Sequence, residues 1–401
     1  MKIIHVVGAR PNFMKIAPII EAINQYNLSS RRPVRQILVH TGQHYDDRMS
    51  KLFFDELDIP KPDINLEVGS GSHAEQTAEI MKRFEKVCLS ERPTHILVVG
   101  DVNSTIACAL VATKLNIKVI HVEAGLRSFN RSMPEEINRI LTDAISDYLF
   151  ITEKNAEENL HKEGISRDKI FFVGNVMIDT LLKHREKAEK SKILDHLGLR
   201  KKLSMGTSRQ VADYGLLTLH RPSNVDDPKT FRGMMEAIIE ISKHLPIIFP
   251  VHPRTRKQIE ELRSNKGFMP ASKGKLKKSG IYCIDPLGYL DFLCLMSFAR
   301  LVLTDSGGIQ EETTVLGVPC VTLRDETERP ITLTDGTNVL AGTKKENIIE
   351  KAFGVLTHKS KDRKRGQARP SQIPPLWDGK AAMRIVDILC QHSERRLVRG
   401  N

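Results

Sequence analysis

The chain has 401 residues, with 61 Lys plus Arg against 49 Asp plus Glu for a formal charge of +12, and 40% of its residues are apolar. At roughly 150 residues per domain, that length predicts two large or three ordinary domains, and the balanced composition excludes a disordered or fibrous chain. The positive charge admits three partner classes, namely nucleic acid, an anionic membrane and a phosphorylated small molecule; only the position of the charge separates them.

No run reaches the roughly 18 apolar residues of a membrane span, and MKIIHVVGARPNF turns polar after one short run. A soluble, cytoplasmic protein without a membrane partner is therefore expected. The six cysteines (Cys88, Cys108, Cys283, Cys294, Cys320 and Cys390) have no close pair and no neighbouring histidine ligands. They read as small core residues in a reducing compartment, with no metal site.

Taken in chain order, short β-branched runs alternate with helical stretches. KIIHVVG precedes a helix over 14–26, QILVHTG one over 46–58, THILVVGD one over 104–115 and KVIHVEAG one over 134–146. YLFITE, a helix over 156–163 and IFFVG close this series. A helix over 177–190 then gives way to a Lys-rich stretch, and a second series begins: GLLTLHRP, PIIFPVHP, GIYCID, RLVLTDSGG and PCVTL. Strands apolar on both faces and separated by helices predict parallel sheets, hence an α/β fold of two Rossmann-like domains facing a central cleft. The domains expected are 1–175 and 176–375. A final helix over 379–395 can dock on either half and is assigned to the first. The polar stretches 264–278 and 358–372 read as solvated loops.

Open α/β sheets bind ligands at the carboxyl ends of their strands, so the chemistry is sought in strand-to-helix turns. In the first turn, Arg10 and Lys15 set two cations near a helix N-terminus suited to anions. Its spacing matches neither a dinucleotide fingerprint nor a P-loop, and two ordinary surface cations are the plain alternative. In TDSGGIQEE, Ser306, Gly307 and Gly308 leave room for backbone N–H groups to cradle a pyrophosphate, and Glu312 is placed to accept from ribose hydroxyls. The alternative is a tight turn whose acids merely favour the helix dipole. Phe292 is either a base-stacking aromatic or a core residue.

Three acids stand in first-half turns, Asp101, Glu123 and Glu135, where they could move protons on a bound ligand. Asp101 could instead cap the next helix, and Glu135 could pair with Arg139 at i,i+4. Glu123 has no such alternative, because VEAG at a strand end buries an acid that then needs a partner. His220, beside Arg221, follows a second-half strand and is either a proton shuttle or hydrogen-bonded structure. His252 and Arg254 form a similar edge.

Ten motifs in order, GARPNFMKIAP, TGQHYDD, VVGDVNST, HVEAGLRS, MPEEINRILTD, TLHRPSNVD, PVHPRT, DSGGIQEE, TERP and WDGKAAMRIVDIL, span about Lys2 to Leu389. Together they resemble the non-hydrolysing UDP-N-acetylglucosamine 2-epimerases, which share the two-domain GT-B architecture. The resemblance implies UDP in the second half, contacted by Ser306, Gly307, Gly308, Glu312 and Arg329, with Phe292 beside the uracil. It further implies that Arg10 and Lys15 reach the ligand and that Asp101, Glu123, Glu135, Arg139 and His220 surround the sugar. UDP would be eliminated to give a 2-acetamidoglucal and added back with C2 inverted, without a cofactor. A homodimer supplying surface polysaccharide synthesis is also implied.

The chain departs from that pattern in places. Ile331 follows TERP where many members have glutamate, and HRPSN replaces the frequent HRREN. Asp46 stands where relatives activated by a second UDP-sugar often have glutamine, although Gln43 and His44 are present. Near relatives act on diacetamido-uronic UDP sugars, which leaves the sugar substituents open. A GT-B glycosyltransferase and a hydrolysing epimerase are the competing enzyme readings. Nucleic-acid binding is not expected, because aromatics are 5% of residues and no basic stretch interleaves them.

Overall fold

Tertiary contacts divide the chain into one unit of Met1–Lys183 with Pro375–Asn401 and a second of His184–Pro374. The computed structural model describes residues 1–42, 56–202, 209–251, 255–256, 258–259, 268–270, 279–357 and 373–399. Gln43, His44, Asp46, His252, Arg254, the loop 358–372 and most of the helix expected over 46–58 lie outside the described residues, as does the side chain of Arg10.

Among the described residues the first unit is built on seven strands: β1 (Lys2–Val7), β2 (Arg35–His40), β3 (Ile64–Asn65), β4 (His95–Val99), β5 (Lys118–Ala124), β6 (Tyr148–Ile151) and β7 (Ile170–Phe172). They pair in parallel in the order β3-β2-β1-β4-β5-β6-β7. The direction of winding reverses between β1 and β4, where a doubly wound sheet opens a crevice at its strand ends. Helices on both faces bury Ile3, Ile4, Val6, Val7, Ile96, Leu97 and Val98, which is why these strands read as unbroken apolar runs.

Before the second sheet, β8 (Arg200–Lys202) and β9 (Arg209–Val211) form an antiparallel pair. The sheet itself contains β10 (Gly215–Thr218), β11 (Ile247–Pro250), β12 (Phe268–Pro270), β13 (Ile281–Ile284), β14 (Leu301–Thr304), β15 (Cys320–Thr322) and β16 (Asn338–Leu340). Its parallel order β12-β13-β11-β10-β14-β15-β16 repeats the winding of the first, with the reversal between β10 and β14. The expected pair of parallel-sheet α/β domains is therefore present.

Some elements differ from expectation. Residues 268–270, read as loop, form the edge strand β12. The helix His73–Glu91 was not expected, although Ser72 and Glu75 announce it. Glu75 N–H donates to Ser72 Oγ at 3.3 Å, and Glu75 Oε2 accepts from Ser72 N–H at 3.1 Å. Gln76, Ile80, Phe84 and Cys88, four apart, then form its buried face. The first helix begins at Arg10, not at residue 14. The division between units falls within the helix Val176–Glu189 rather than at its start.

The C-terminal helix Ala381–Arg399 packs on the helix Arg10–Ser29 in the first unit. Asp179 accepts from the N–H groups of Ala381 (3.2 Å) and Ala382 (2.7 Å) at its start. Trp377, buried just before it, donates through Nε1 to Thr152 O at 3.0 Å. Five of the six cysteines are buried and Cys283 is partly so. Among the described residues no helix is long and apolar enough to cross a membrane.

Candidate active site

In the first unit the site is assembled at the ends of β1, β4 and β5. Asn12 Oδ1 accepts from the N–H of Ala9 at 2.9 Å and of Gly8 at 3.3 Å, and its Nδ2 donates to Val99 O at 3.0 Å. The first turn is thereby tied to the end of β4. One helical turn on, Lys15 points inward and is buried, not displayed as a surface cation.

Lys15 Nζ lies 2.7 Å from both oxygens of Glu123, which supplies the partner that a buried acid needs. Glu123 is only 3% exposed and has a left-handed backbone, φ 73°, at an irregularity where β5 leaves register with β6. That conformation is uncommon for a side chain with a Cβ and costs on the order of 1–3 kcal/mol. Gly100, φ 67°, makes room for the ion pair: a Cβ there would lie 3.2 Å from Lys15 Nζ.

Asp101 does not cap the following helix, whose N-cap is Val102. Its Oδ2 instead lies 2.5 Å from Arg139 Nη1. Arg139 is buried, and it also donates to Glu136 Oε2 from Nε at 3.0 Å and from Nη2 at 2.7 Å. The alternative of an i,i+4 pair between Glu135 and Arg139 gives way to an i,i+3 pair with Glu136, while Glu135 sits half-buried beside it. Burial opposes ionisation of Glu136. The N–H of Ser128, the guanidinium of Arg139 and the N–H of Phe129 outweigh that and hold its carboxyl below the usual range.

In the second unit the end of β14 is the focus. Asp305 is fully buried, and its carboxylate receives the N–H of Arg221 at 3.0 Å, the N–H of His220 at 3.1 Å and Asn224 Nδ2 at 3.3 Å. His220 Nδ1 lies 2.9 Å from Asp305 Oδ1, while the imidazole is half exposed. Burial would raise the Asp305 carboxyl, but the hydrogen bond and charge of His220 and these N–H groups bring it below its ordinary value.

The helix Gly307–Leu316 begins at this turn with Ser306 as its N-cap, and Ser306 N–H donates to Thr304 Oγ1 at 3.0 Å. A Cβ on Gly307 would meet Glu328 Oε1 at 2.7 Å, so the glycine leaves space for that acid. Glu328 accepts from Arg324 Nη2 at 2.8 Å and Arg221 Nη2 at 3.3 Å. Despite burial, Arg329, Arg324 and Arg221 hold it far below the usual carboxylate range. Arg329 Nε also lies 2.6 Å from Glu311 Oε1.

Glu312 is buried and accepts from Tyr289 Oη at 2.9 Å. Burial pushes its carboxyl up to about 8, with the nearby Glu311 charge adding and the Tyr289 hydrogen bond opposing. Phe292, part-buried, stands on the helix Tyr289–Phe298 that carries Tyr289. Sequence reasoning passed over Asn12, Glu136, Tyr289, Asp305 and Glu328. Asp305 and Glu136 each stood next to a singled-out residue, while Tyr289 had no local signal.

A family model described as UDP-N-acetylglucosamine 2-epimerase matches residues 27–390. The chain is 44% identical over 397 residues to the UDP-N-acetylglucosamine 2-epimerase of Methanocaldococcus jannaschii, covering 97% of this chain and 99% of that one. It is 42% identical over 355 residues to the UDP-2,3-diacetamido-2,3-dideoxy-D-glucuronate 2-epimerase of Pseudomonas aeruginosa, covering 88% and 91%. A crystal structure of the M. jannaschii enzyme in complex with UDP-GlcNAc and UDP superposes with a TM-score of 0.81 at 43% identity, over 98% of this chain and 100% of that one. With two parallel-sheet α/β units of GT-B type and a match of this extent, the chain belongs to the UDP-N-acetylglucosamine 2-epimerase family, a family of isomerases.

Proposed function

We propose that the protein interconverts UDP-N-acetylglucosamine and its C2 epimer, UDP-N-acetylmannosamine, by eliminating and re-adding UDP. The observation that carries this reading is the pair of acid–cation contacts in the first unit, Lys15 with Glu123 and Arg139 with Asp101. A C2 proton is weakly acidic, so its removal needs a positioned base, and a departing diphosphate needs cations and N–H donors. In the forward step the C2–H pair forms the C1–C2 double bond, the proton passes to a carboxylate, and the C1–O bond breaks with its electrons leaving on UDP. Readdition reverses these changes with a proton delivered to the opposite face of C2, so the sequence is redox-neutral.

Asp101, Glu123, Glu135 and His220 are assigned to proton transfer, and Arg10, Lys15 and Arg139 to the charge of the substrate. In the second unit, Ser306, Gly307, Gly308, Glu312, Arg329 and Phe292 are assigned to UDP. The test is incubation with UDP-N-acetylglucosamine in heavy water. Deuterium at C2 of both epimers is expected, and its absence from both overturns the reading. Free N-acetylmannosamine as main product would select a hydrolysing enzyme instead.

The P. aeruginosa relative supports a second reading, the same chemistry on a diacetamido-uronic UDP sugar. Comparing kcat/KM for the two substrates decides between them. We further propose a homodimer serving surface polysaccharide synthesis, as the family resemblance implies; light scattering tests its first part.

A further inference from the structure

Behind the turns carrying Asp101 and Glu123 lies a charged cluster with no place in the roles above. His121, on β5, and Asp143, on the helix Pro134–Ile145, are both fully buried. His121 Nδ1 lies 2.6 Å from Asp143 Oδ1, and its Nε2 lies 2.9 Å from the carbonyl oxygen of Gly100. Asp143 Oδ2 accepts the N–H of Gly125 at 3.0 Å and lies 2.7 Å from Arg127 Nη2. Arg127 also meets Glu163, with Nη2 2.6 Å from its Oε2.

The protons of this cluster follow from its acceptors. A carbonyl oxygen only accepts, so Nε2 carries a hydrogen. Asp143 takes a guanidinium and a backbone N–H on Oδ2 while its Oδ1 faces Nδ1, so the ring bridges the Gly100 carbonyl and the Asp143 carboxyl.

We propose that this His121–Asp143 pair is a positioning clamp that sets the relative placement of Asp101 and Glu123 for C2 proton transfer. Its two ends make the case. The Gly100 carbonyl immediately precedes Asp101, and the Gly125 N–H follows Glu123 by two residues. Gly100, Glu123 and Gly125 are all left-handed, at φ 67°, 73° and 77°, where β4 ends and β5 slips register with β6; the Gly100 N–H still bonds Val122 O at 3.1 Å, and the clamp holds the carbonyl side of that glycine. Gly125 is fixed on its other side as well, its carbonyl accepting from Asn159 Nδ2 at 3.0 Å. Stability alone does not require such a cluster, since well-packed apolar side chains often equal a buried ion pair.

The clamp rests on the epimerase reading, so wild-type deuterium incorporation at C2 is measured first; its failure sinks that reading, whereas normal incorporation with an unimpaired H121Q sinks only the clamp. In H121Q, kcat is expected to fall about 100-fold, the scale of a misplaced catalytic group, with KM within about threefold. E163Q loosens Arg127 without touching either turn, and its kcat should stay within about twofold of wild type. A near-wild-type kcat in H121Q, or an equal loss in E163Q, overturns the clamp. Should H121Q fail to fold, D143N, which keeps the size of the acid, takes its place. The same loss of kcat with KM little changed is expected, and a near-wild-type kcat overturns the clamp.

Discussion

Asp305 Oδ1 lies 2.9 Å from His220 Nδ1, and the same carboxylate receives the backbone N–H groups of His220 and Arg221. One buried acid therefore fixes both the start of the turn after β10 and the orientation of its half-exposed imidazole. With Nδ1–H donated to Asp305, the other ring nitrogen is left to face outward. D305N presents an amide group to these donors and is expected to lower kcat roughly 10–100-fold, the usual scale for losing an orienting partner. H220Q should lower it at least as far. Initial rates of epimer formation, with melting curves as a check on folding, decide.

Lys15 and Glu123 are buried together, so removing one leaves the other charge uncompensated. K15M is expected to lose about 3–5 kcal/mol of stability in denaturant unfolding, and K15M/E123M to regain much of it. E123Q retains the shape of the pair. It should abolish deuterium incorporation at C2 while UDP binding, read by calorimetry, stays within about twofold. Full turnover by E123Q would remove Glu123 from the chemistry.

Glu312 carries the clearest pH signature. Its carboxyl is pushed up to about 8 in the folded protein against 4.5 ordinarily, so the unfolded chain releases this proton first. The contribution of Glu312 to stability is therefore lost as pH rises from 4.5 to about 8 and then levels off. E312Q has nothing to ionise. Its melting temperature relative to wild type should climb across that window, and a constant difference would show that Glu312 ionises normally.

Gly307 is set against Glu328 with no space for a side chain. In G307A the new methyl group would sit 2.7 Å from Glu328 Oε1 and push that acid against Arg221 and Arg324. UDP affinity is expected to weaken about tenfold, or about 1.4 kcal/mol, in a titration. Unchanged affinity would show that the arginine cluster tolerates the shift.

Much of the architecture was legible because parallel strands buried on both faces leave apolar runs such as HILVV and RLVLT that no solvent-facing element needs. The need of Glu123 for a partner was legible for the same reason: an acid ending such a run has no water. Its partner was not, because Lys15 is 108 residues away and only the β1–β4–β5 pairing brings them together. Likewise, Glu135 and Glu136 share a helical first turn, and Arg139 reaches either by helix geometry. The N–H groups of Ser128 and Phe129 select Glu136, and those belong to a loop with no periodicity. The strand β12 was hidden by its polar surroundings. The helix His73–Glu91, by contrast, carries a local signal in its Ser72–Glu75 capping box.

The return of residues 375–401 to the first unit has a consequence for synthesis on the ribosome. Asp179 waits for Ala381 and Ala382, and Thr152 O for Trp377, across some 200 residues of chain. The second unit is a continuous segment, His184–Pro374, and all of it is made before those residues. The first unit is thus completed only after the second has been made, and the helix Arg10–Ser29 keeps its apolar flank uncovered until the helix Ala381–Arg399 follows. A stop codon after Pro374 would therefore spare the later-made half and leave the earlier-made half open to aggregation.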